Sequence, residues 1–581
     1  MAEKDIIHKL KYLLYEHRRK IFIIFGCLLI STGLNLCIPL ISKKIMDDGF
    51  IDGDKSVLIH MVVCSFVIYM VISALNIIKE KVRVGIAAKV QYSLWNQAYE
   101  HLMKMKICYF NGRNAAEIFN NLSVDISNML SVADESVFFV VTQAFSMVGG
   151  VIGLFILDCR MTVIVLFFIP VKAVVMKYFA KYRKKVIDEF ILDSEKYSGW
   201  FGDTVGGIRE VKLFGILDNK HSEFNEKQKA VIRRQKKMNM LSQWNNATDA
   251  VLVHLLTTLI YIVGSNLVFN MQLSVGSIFA FITYSAYVTG PISAILNIGY
   301  LLSGIIPSTK RYYEFMELEE EGSSQGITAS PRFGDIELKN VSFAYEDGKP
   351  VLDDLNVIFH KESKTAVIGR NGSGKTTIIN LLTRLYEPDA GRILLNGIDI
   401  ADIPLQVYRD MVSIVSQQIY LFNDTIRNNI CLYKQTDESS LMAACEESGL
   451  GEFISEVSLD YVAGQNGAML SGGQKQKIAM ARALVHDKPI VIFDEATSNA
   501  DVYSEQQING LLHTMLKDKT VIVITHKREI LSEVDQIVVL KEGRVTSVGR
   551  YDELTDTSDE LRTMMEMTEQ RGMKWQSKKK C

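Results

Sequence analysis

The chain is short of proline, and its charges of opposite sign nearly cancel. Proline accounts for 9 of 581 residues, well below the average usage of about 5%, and this scarcity favours long uninterrupted helices. With 64 Lys and Arg against 66 Asp and Glu, the net charge is −2, so no overall basic field indicates a nucleic-acid partner. The hydrophobic content of 48% excludes an intrinsically disordered chain.

Cysteine patterns typical of metal or redox sites are also missing. The eight cysteines form no C-x-x-C pair and have no histidine at metal-ligand spacing, which excludes the common zinc and disulfide readings. Several of them lie in long apolar runs, where a thiol behaves as a small hydrophobic group.

Long apolar runs are what the first half of the chain does contain. Six of them reach the length of about 20 residues that a helix needs to cross a bilayer: residues 21–40, 57–78, 137–157, 161–180, 250–269 and 276–306. Five carry no Asp, Glu, Lys or Arg, whereas the fourth carries Lys172 and Lys177 toward its end. The sequence therefore predicts six membrane spans within a transmembrane domain at residues 1–316.

The segments between the spans alternate in length and charge. Lys and Arg are concentrated before the first span, which predicts a cytoplasmic N-terminus. Residues 79–136 and 181–249 are polar, free of proline and rich in helix formers, so we expect the spans to continue as helices into the cytoplasm. Gly112 and the Gly206-Gly207 pair predict the turn in each segment. Flexible loops are the alternative, although structureless loops of such length are uncommon.

A second domain is expected after an acidic linker at residues 317–332. Residues 333–581 contain no apolar run long enough to span a membrane. Short runs of β-branched residues at 365–368, 490–493 and 520–524 alternate with helix-like segments. This pattern predicts a buried, largely parallel sheet.

Three motifs in this domain indicate phosphate chemistry. Residues 369–376 match G-x-x-x-x-G-K-[ST] between a strand and a helix, the context in which backbone N–H groups surround a phosphate. Lys375 would neutralise phosphate oxygens, and Thr376 would ligate Mg²⁺. A strand at 490–494 ends in two carboxylates, with Asp494 expected on the metal and Glu495 expected as the base. Residues 470–474 open a helix with small residues, which is a second candidate anion site.

Together these motifs resemble the Walker A, signature and Walker B motifs of ATP-binding cassette (ABC) ATPases. With the six spans, nearly the whole chain resembles an ABC exporter-type half-transporter. The resemblance implies an all-α six-helix transmembrane domain with long cytoplasmic extensions, followed by an α/β P-loop ABC ATPase domain. It also implies ATP and Mg²⁺ as ligands, and a Mg-dependent ATPase coupled to transmembrane transport.

The resemblance assigns roles to matching positions. It implies a catalytic set of Glu495, His526, Gln417 and Lys375, and a metal set of Thr376, Gln417 and Asp494. The implied nucleotide-binding residues are Tyr345, Gly369, Arg370, Asn371, Gly372, Ser373, Gly374, Lys375, Thr376, Thr377, Ser471, Gly472, Gly473, Gln474 and Asp501. Among them Tyr345 would stack on adenine, although without the family a strand aromatic is as readily explained by core packing. Likewise, His526 matches the switch histidine and Asp501 an aspartate that communicates across the dimer.

In such proteins ATP is held between the Walker A motif of one chain and the signature motif of another, so the resemblance implies a dimer. We expect a homodimer, with a heterodimer as the alternative. The turns near Gly112 and Gly206 look like coupling helices. The sequence departs from the family at Gln465, where exporters usually have an acid, and this puts a charged contact with the partner's inner loop in doubt.

The sequence defines the transported substrate less well than it defines the nucleotide site. Lys172 is a candidate to face a wet cavity and meet an anionic group, and His254 is a second candidate for the substrate path; for both, lining without ligand contact is the alternative. We expect ATP-driven export or flipping of an amphipathic peptide, drug or lipid across the plasma membrane, with membrane lipid as a partner and no nucleic acid. The alternative is a cassette-gated channel or an importer of the same fold. The expected location is a bacterial inner membrane, with the nucleotide domain cytoplasmic.

Overall fold

The computed structural model of the chain describes residues 3–131, 135–322, 333–345, 348–494 and 510–563. The chain divides into two compact units. The first comprises Met1–Met103 and Asn114–Leu318, and the second comprises Lys104–Arg113 and Glu319–Cys581. The second unit therefore takes in a short segment that interrupts the first.

Long helices make up the first unit. They are α1 (Glu3–Tyr15), α2 (Arg18–Lys44), α3 (Lys55–Lys104), α4 (Ala115–Leu130), α5 (Glu135–Leu157), α6 (Cys159–Gly206), α7 (Ile208–Leu213), α8 (Leu217–Phe269) and α9 (Val275–Met316). Among the described residues, six segments are long and apolar enough to cross a membrane: Arg18–Ile51, Lys55–Lys104, Phe139–Leu157, Cys159–Gly206, Leu217–Phe269 and Val275–Ile292. They contain or overlap the six predicted spans, and α3, α6 and α8 run far beyond them, as expected from the scarcity of proline.

Small residues allow close packing between α2, α5 and α9. A Cβ atom on Gly153 would lie 2.5 Å from Cε1 of Tyr284, and one on Gly149 would lie 2.0 Å from Cδ1 of Leu36. The Tyr284 hydroxyl donates a hydrogen bond to the Leu36 carbonyl at 2.5 Å. Packing of this kind holds helices together where the hydrophobic effect between them is weak.

Both predicted turns lie where the glycines indicated. The first follows α3 as a short 3₁₀ turn, Ile107–Phe110, and Gly112 adopts a positive φ of 69° before α4 begins. The second lies at Gly207, where α6 ends and the short α7 begins. Because each turn is flanked by continuous helix, the helical interpretation of these segments is confirmed and the flexible-loop alternative is wrong.

Strands and short helices make up the second unit. The strands are β1 (Ile336–Ala344), β2 (Pro350–Phe359), β3 (Lys364–Gly369), β4 (Ala390–Leu395), β5 (Ile398–Asp399), β6 (Val412–Val415), β7 (Ile490–Asp494), β8 (Thr520–Ile524), β9 (Gln536–Lys541) and β10 (Arg544–Gly549). The helices are α10 (Lys375–Leu382), α11 (Leu405–Arg409), α12 (Ile426–Cys431), α13 (Glu438–Glu447), α14 (Gly451–Val457), α15 (Gly472–Val485), α16 (Arg528–Leu531) and α17 (Tyr551–Thr557).

The strands form two sheets. The larger has the order β10-β9-β3-β8-β7-β6, and its neighbours are parallel from β9 through β6. All five residues of β7 and of β8 are buried, as expected for strands covered on both faces. This confirms the parallel sheet read from the β-branched runs. The smaller sheet, β2-β1-β4-β5, is antiparallel and was not predicted.

Candidate functional site

The loop after β3 has the backbone of a phosphate cradle. Gly372 and Gly374 adopt positive φ angles of 82° and 101°, which a residue with a Cβ atom rarely adopts. A Cβ on Gly369 would lie 2.6 Å from the Leu540 carbonyl oxygen. Helix α10 starts directly after the loop, at Lys375, so its unpaired N–H groups point toward the space that the loop encloses.

Two side chains of this loop are poised for an anion. Lys375 is buried and folds back over the loop, where its Nζ donates to the carbonyls of Gly369 at 2.7 Å and Arg370 at 3.2 Å. The Ser373 hydroxyl is buried and has no hydrogen-bond partner within the described part of the chain. A buried hydroxyl without a partner is costly, which fits a site that a ligand's oxygen atoms complete.

The parallel strands bring the other motifs to the same edge of the sheet. β3, β8, β7 and β6 are consecutive neighbours, so their carboxyl ends meet beside the phosphate loop. Asp494 ends β7 and is buried, with Ile524 of β8 opposite it. His526 follows β8, and Gln417 follows β6. His526 is half-buried and Gln417 exposed, and both lie in the loops at this edge.

Tyr345 lies directly after β1 and takes part in an aromatic group. Its ring centroid lies 4.9 Å from that of Phe343 and 5.2 Å from that of Tyr386, both edge to face. Its hydroxyl lies 3.2 Å from the Thr377 hydroxyl and accepts a hydrogen bond from Asn380 at 3.2 Å. Tyr345 is therefore fixed to the start of α10, next to the phosphate loop. This position suits either expected role, stacking on adenine or packing in the core.

The signature residues open α15, in a separate helical layer. Ser471 and Gln474 form a capping box, with each side chain accepting from the other's backbone N–H. Gly472 and Gly473 are exposed, and a Cβ atom on either would meet nothing within 4 Å. The helix packs on a core of its own that includes Leu421, Ile426, Leu441, Cys445, Ile478 and Ala481. This helix start thus presents an open surface.

Some predicted site residues lie outside the described residues. They are Glu495 and Asp501. Arg370, Asn371, Thr376 and Thr377 lie in the phosphate loop or the first turn of α10, with Thr377 buried and the other three exposed.

The two candidates for the substrate path have different surroundings. Lys172 is fully buried, and its Nζ lies 2.7 Å from Oδ1 of Asp249 on α8. Lys172 thus has an acidic partner within the chain, and its place on the substrate path stays a prediction. His254 is exposed on α8, where its carbonyl accepts a hydrogen bond from Thr258.

Sequence reasoning missed a contact next to Tyr345. Asn111, in the segment that joins α3 to α4, donates through Nδ2 to the Tyr386 hydroxyl at 2.6 Å. The same segment is anchored by an ion pair of 2.5 Å between Lys106 and Glu319, which raises the pKa of Lys106 and lowers the pKa of Glu319. The contacts join positions far apart in sequence, and only the glycine turn at Gly112 marked this segment.

Comparison with known families agrees with this geometry. Residues 21–292 match the model of the ABC transporter transmembrane region, and residues 352–498 match the ABC transporter model. Together they cover the membrane helices and the strands that carry the phosphate loop and Asp494.

Several curated proteins are similar over nearly the full chain. An ATP-dependent lipid A-core flippase of Nitrosococcus oceani is 30% identical over 539 residues, which cover 90% of this chain and 88% of that protein. A flippase of the same name from Haemophilus influenzae is 29% identical over 534 residues, 90% of either chain. YgaD of Bacillus subtilis, whose name describes a multidrug export ATP-binding/permease protein, is 27% identical over 562 residues, 93% of this chain and 95% of that protein.

The fold also matches a solved structure. A bacterial Atm1-family ABC exporter with ATP bound superposes with a TM-score of 0.82 at 21% identity, covering 95% of this chain and 99% of that one. This likeness confirms the predicted fold class of a helical transmembrane domain followed by an α/β nucleotide-binding domain. The chain belongs to the ABC transporters, as an exporter-type half-transporter whose ATPase is coupled to transport across the membrane.

Proposed function

We propose that two copies of this chain export or flip an amphipathic substrate, with a lipid of the bilayer as the first candidate, across a bacterial inner membrane. The observation that carries the proposal is the meeting of the phosphate loop, Asp494, Gln417 and His526 at one edge of a parallel sheet. The names of the relatives, lipid A-core flippase and multidrug export protein, support an amphipathic cargo.

The phosphate loop fits the polyphosphate of ATP. The helix start of α10 and the glycine backbone provide N–H donors, and Lys375 provides a positive charge that loop carbonyls hold in place. The orphaned Ser373 hydroxyl would gain an acceptor from a phosphate oxygen. In this proposal Tyr345 carries the adenine, because its ring stands beside the first turn of α10.

The same edge has the oxygen ligands that suit Mg²⁺, which prefers carboxylate, hydroxyl and amide oxygens. Thr376, Gln417 and Asp494 would hold the ion, which when bound neutralises charge on the β- and γ-phosphates. Asp494 is buried at the end of β7, so its carboxylate is positioned before any ligand arrives.

Hydrolysis is assigned to residues around this cluster. Glu495, the residue after Asp494, would accept the proton of the attacking water, and His526 would contact the γ-phosphate from the end of β8. Gln417 would sense the γ-phosphate from the end of β6. Loss of that phosphate would remove charge-assisted hydrogen bonds of about 1.5–3 kcal/mol each, and so weaken the closed state.

A second copy would complete each site. Ser471, Gly472 and Gly473 are exposed at the start of α15, where the Ser471 hydroxyl and the glycine N–H groups would bind the γ-phosphate of ATP held by the partner. We expect a homodimer, because each chain has Lys375, Asp494, Glu495, His526 and the signature residues. In a heterodimer, these residues of this chain would keep the same roles in ATP binding and hydrolysis.

The test is ATPase activity of the whole chain in lipid nanodiscs, with lipids, hydrophobic drugs and secreted peptides added in turn. Wild type should be stimulated by one of these classes, which would identify the cargo. The Glu495→Gln and Lys375→Ala variants should lose activity by at least about a hundredfold, because each removes a group that acts on the transferred phosphate. Glu542→Gln and Lys361→Ala are matched controls at exposed positions of the same domain.

Three results would each contradict a part of the proposal. Full activity of Glu495→Gln would remove its assignment as the base. A basal rate that no candidate stimulates, with full ATP binding, would favour the cassette-gated channel over export. Crosslinking that captures an active monomer would contradict the shared site.

A further inference from the structure

Tyr386 contacts the inner-loop segment on one side and the proposed adenine residue on the other. Its hydroxyl accepts the hydrogen bond from Asn111 at 2.6 Å. Its ring meets Tyr345 edge to face, with a centroid distance of 5.2 Å and an interplanar angle of 87°. Both rings also pack on Phe343, at 4.9 Å and 5.6 Å. A ring in such a cluster cannot move without displacing its neighbours.

The segment that carries Asn111 is held to the rest of the second unit by several contacts. Met105 pairs with Glu320 in an isolated antiparallel bridge, and the Glu321 N–H donates to the Lys104 carbonyl at 2.7 Å. The ion pair between Lys106 and Glu319 flanks this bridge. Lys104 is also the last residue of α3, so the segment is continuous in the chain with a helix that contains a predicted membrane span.

Tyr386 also lines a cavity within the second unit. A cavity of about 310 Å³ borders it, lined by Lys106, Cys108, Arg384, Glu387, Leu405 and neighbouring residues. The cavity lies between the segment and the nucleotide domain's own loops.

We propose that Tyr386 is a positioning residue that couples adenine binding at Tyr345 to the inner-loop segment through Asn111. This inference rests on the proposed ATP site. An adenine stacked on Tyr345 fixes that ring, the ring fixes Tyr386, and the Tyr386 hydroxyl holds Asn111 in place. The base of the nucleotide thus contributes to coupling, in addition to its phosphates.

The test compares a nucleotide with its phosphate part alone. Hydrogen exchange is measured on the whole chain in nanodiscs, with AMP-PNP or inorganic tripolyphosphate at saturating concentration. In wild type, AMP-PNP should protect residues 105–111 and tripolyphosphate should protect them much less. In Tyr386→Phe, which keeps the ring but removes the hydroxyl, the two ligands should give the same low protection. Tyr433→Phe is the matched control, since it also removes an exposed hydroxyl that is bonded, at 2.7 Å, to Asp424.

Activity gives an independent readout. Tyr386→Phe and Asn111→Ala should leave ATP affinity and basal ATPase within about twofold, while cargo-stimulated ATPase falls about threefold to tenfold. The double variant should be no worse than either single one, because both remove the same bond.

Equal protection of residues 105–111 by AMP-PNP and tripolyphosphate would overturn the inference and leave the proposed ATP site intact. Additive losses in the double variant would also overturn it. Failure of AMP-PNP to bind at all would overturn the ATP site and the inference together.

Discussion

The Nζ of Lys172 on α6 lies 2.7 Å from Oδ1 of Asp249 on α8, the residue just before the predicted fifth span. Lys172 is fully buried and Asp249 is 31% exposed. Such a pair is expected for a buried lysine of a membrane helix, because an isolated charge in a bilayer is costly. The ion pair therefore joins α6 to α8.

We expect Asp249→Asn to destabilise the chain by about 3 kcal/mol, because removal of one partner leaves a buried charge uncompensated. Thermal unfolding in detergent would show this as a lower midpoint. The double variant Lys172→Met/Asp249→Leu should recover most of the loss. Lys177→Met, at an exposed position of the same helix, is the control, and a loss equal to that of Asp249→Asn would contradict a role specific to the pair.

The orphaned hydroxyl of Ser373 leads to a prediction with two opposite effects. Without nucleotide, Ser373→Ala should be as stable as wild type or up to about 1 kcal/mol more stable, because a buried unpaired group is removed. With ATP, the variant should gain less stabilisation than wild type. Thermal shift with and without ATP measures both effects, and an unchanged ATP shift would show that the hydroxyl does not bind phosphate.

His486 directly follows α15, the helix that begins at the signature residues. Its surroundings lead us to expect a pH dependence of stability. Burial, together with the charges of Lys434, Lys488 and Arg482, lowers the pKa of His486 below the ordinary 6.5, and Asp410 opposes this only in part. Its Nε2 has no hydrogen-bond partner within the described part of the chain. Since the unfolded chain takes up a proton near pH 6.5 and the folded chain does so only at lower pH, stability falls as the pH drops below about 6.5.

His486→Gln should reduce this loss. The measurement is the unfolding free energy of the nucleotide domain's transition in denaturant at about pH 7.5 and about pH 5.5. His513→Gln, at an exposed histidine paired with Glu533, serves as the control. An identical pH dependence in wild type and His486→Gln would refute the assignment.

A lysine holds the loop before the signature helix. Lys475 donates through Nζ to the Asn466 carbonyl at 2.8 Å, and a Cβ on Gly467 would lie 2.8 Å from its Cε. Gln465, the departure from the family's acidic residue, lies in this loop. Loss of one such charge-assisted bond amounts to about 1.5 kcal/mol.

We expect Lys475→Ala to lower cargo-stimulated ATPase up to about tenfold, with a loss of unfolding free energy of at most about 1.5 kcal/mol. Lys477→Ala, two residues further along the same helix, is the control. Equal stimulation in Lys475→Ala and wild type would show that this loop does not take part in coupling.

The features that could be predicted are those that depend on local sequence. The phosphate loop was recognisable because Gly372, Gly374 and Lys375 have fixed spacings set by the backbone. The buried strands were recognisable because both of their faces are apolar, and Gly112 indicated a turn because glycine readily adopts a positive φ, and it does so in the structure.

The features that escaped prediction depend on partners distant in sequence. The acidic partner of Lys172 is on another helix, and the acceptor for Asn111 lies 275 residues further along the chain, in the main segment of the same unit. The antiparallel sheet was missed because β1 contains register shifts against β2 and β4, which break the regular alternation that marks a half-buried strand.

The bridge between Met105 and Glu320 shows that the ATPase unit is not encoded by one continuous stretch of the gene. A fragment expressed from residue 333 onward would lack both sides of this bridge, together with Asn111 and the Glu321 carboxylate that pairs with Arg409 at 2.7 Å. Such a fragment would display Tyr386 and Arg409 to solvent. A truncated protein that is to keep these contacts therefore needs residues 104–113 grafted ahead of residue 319.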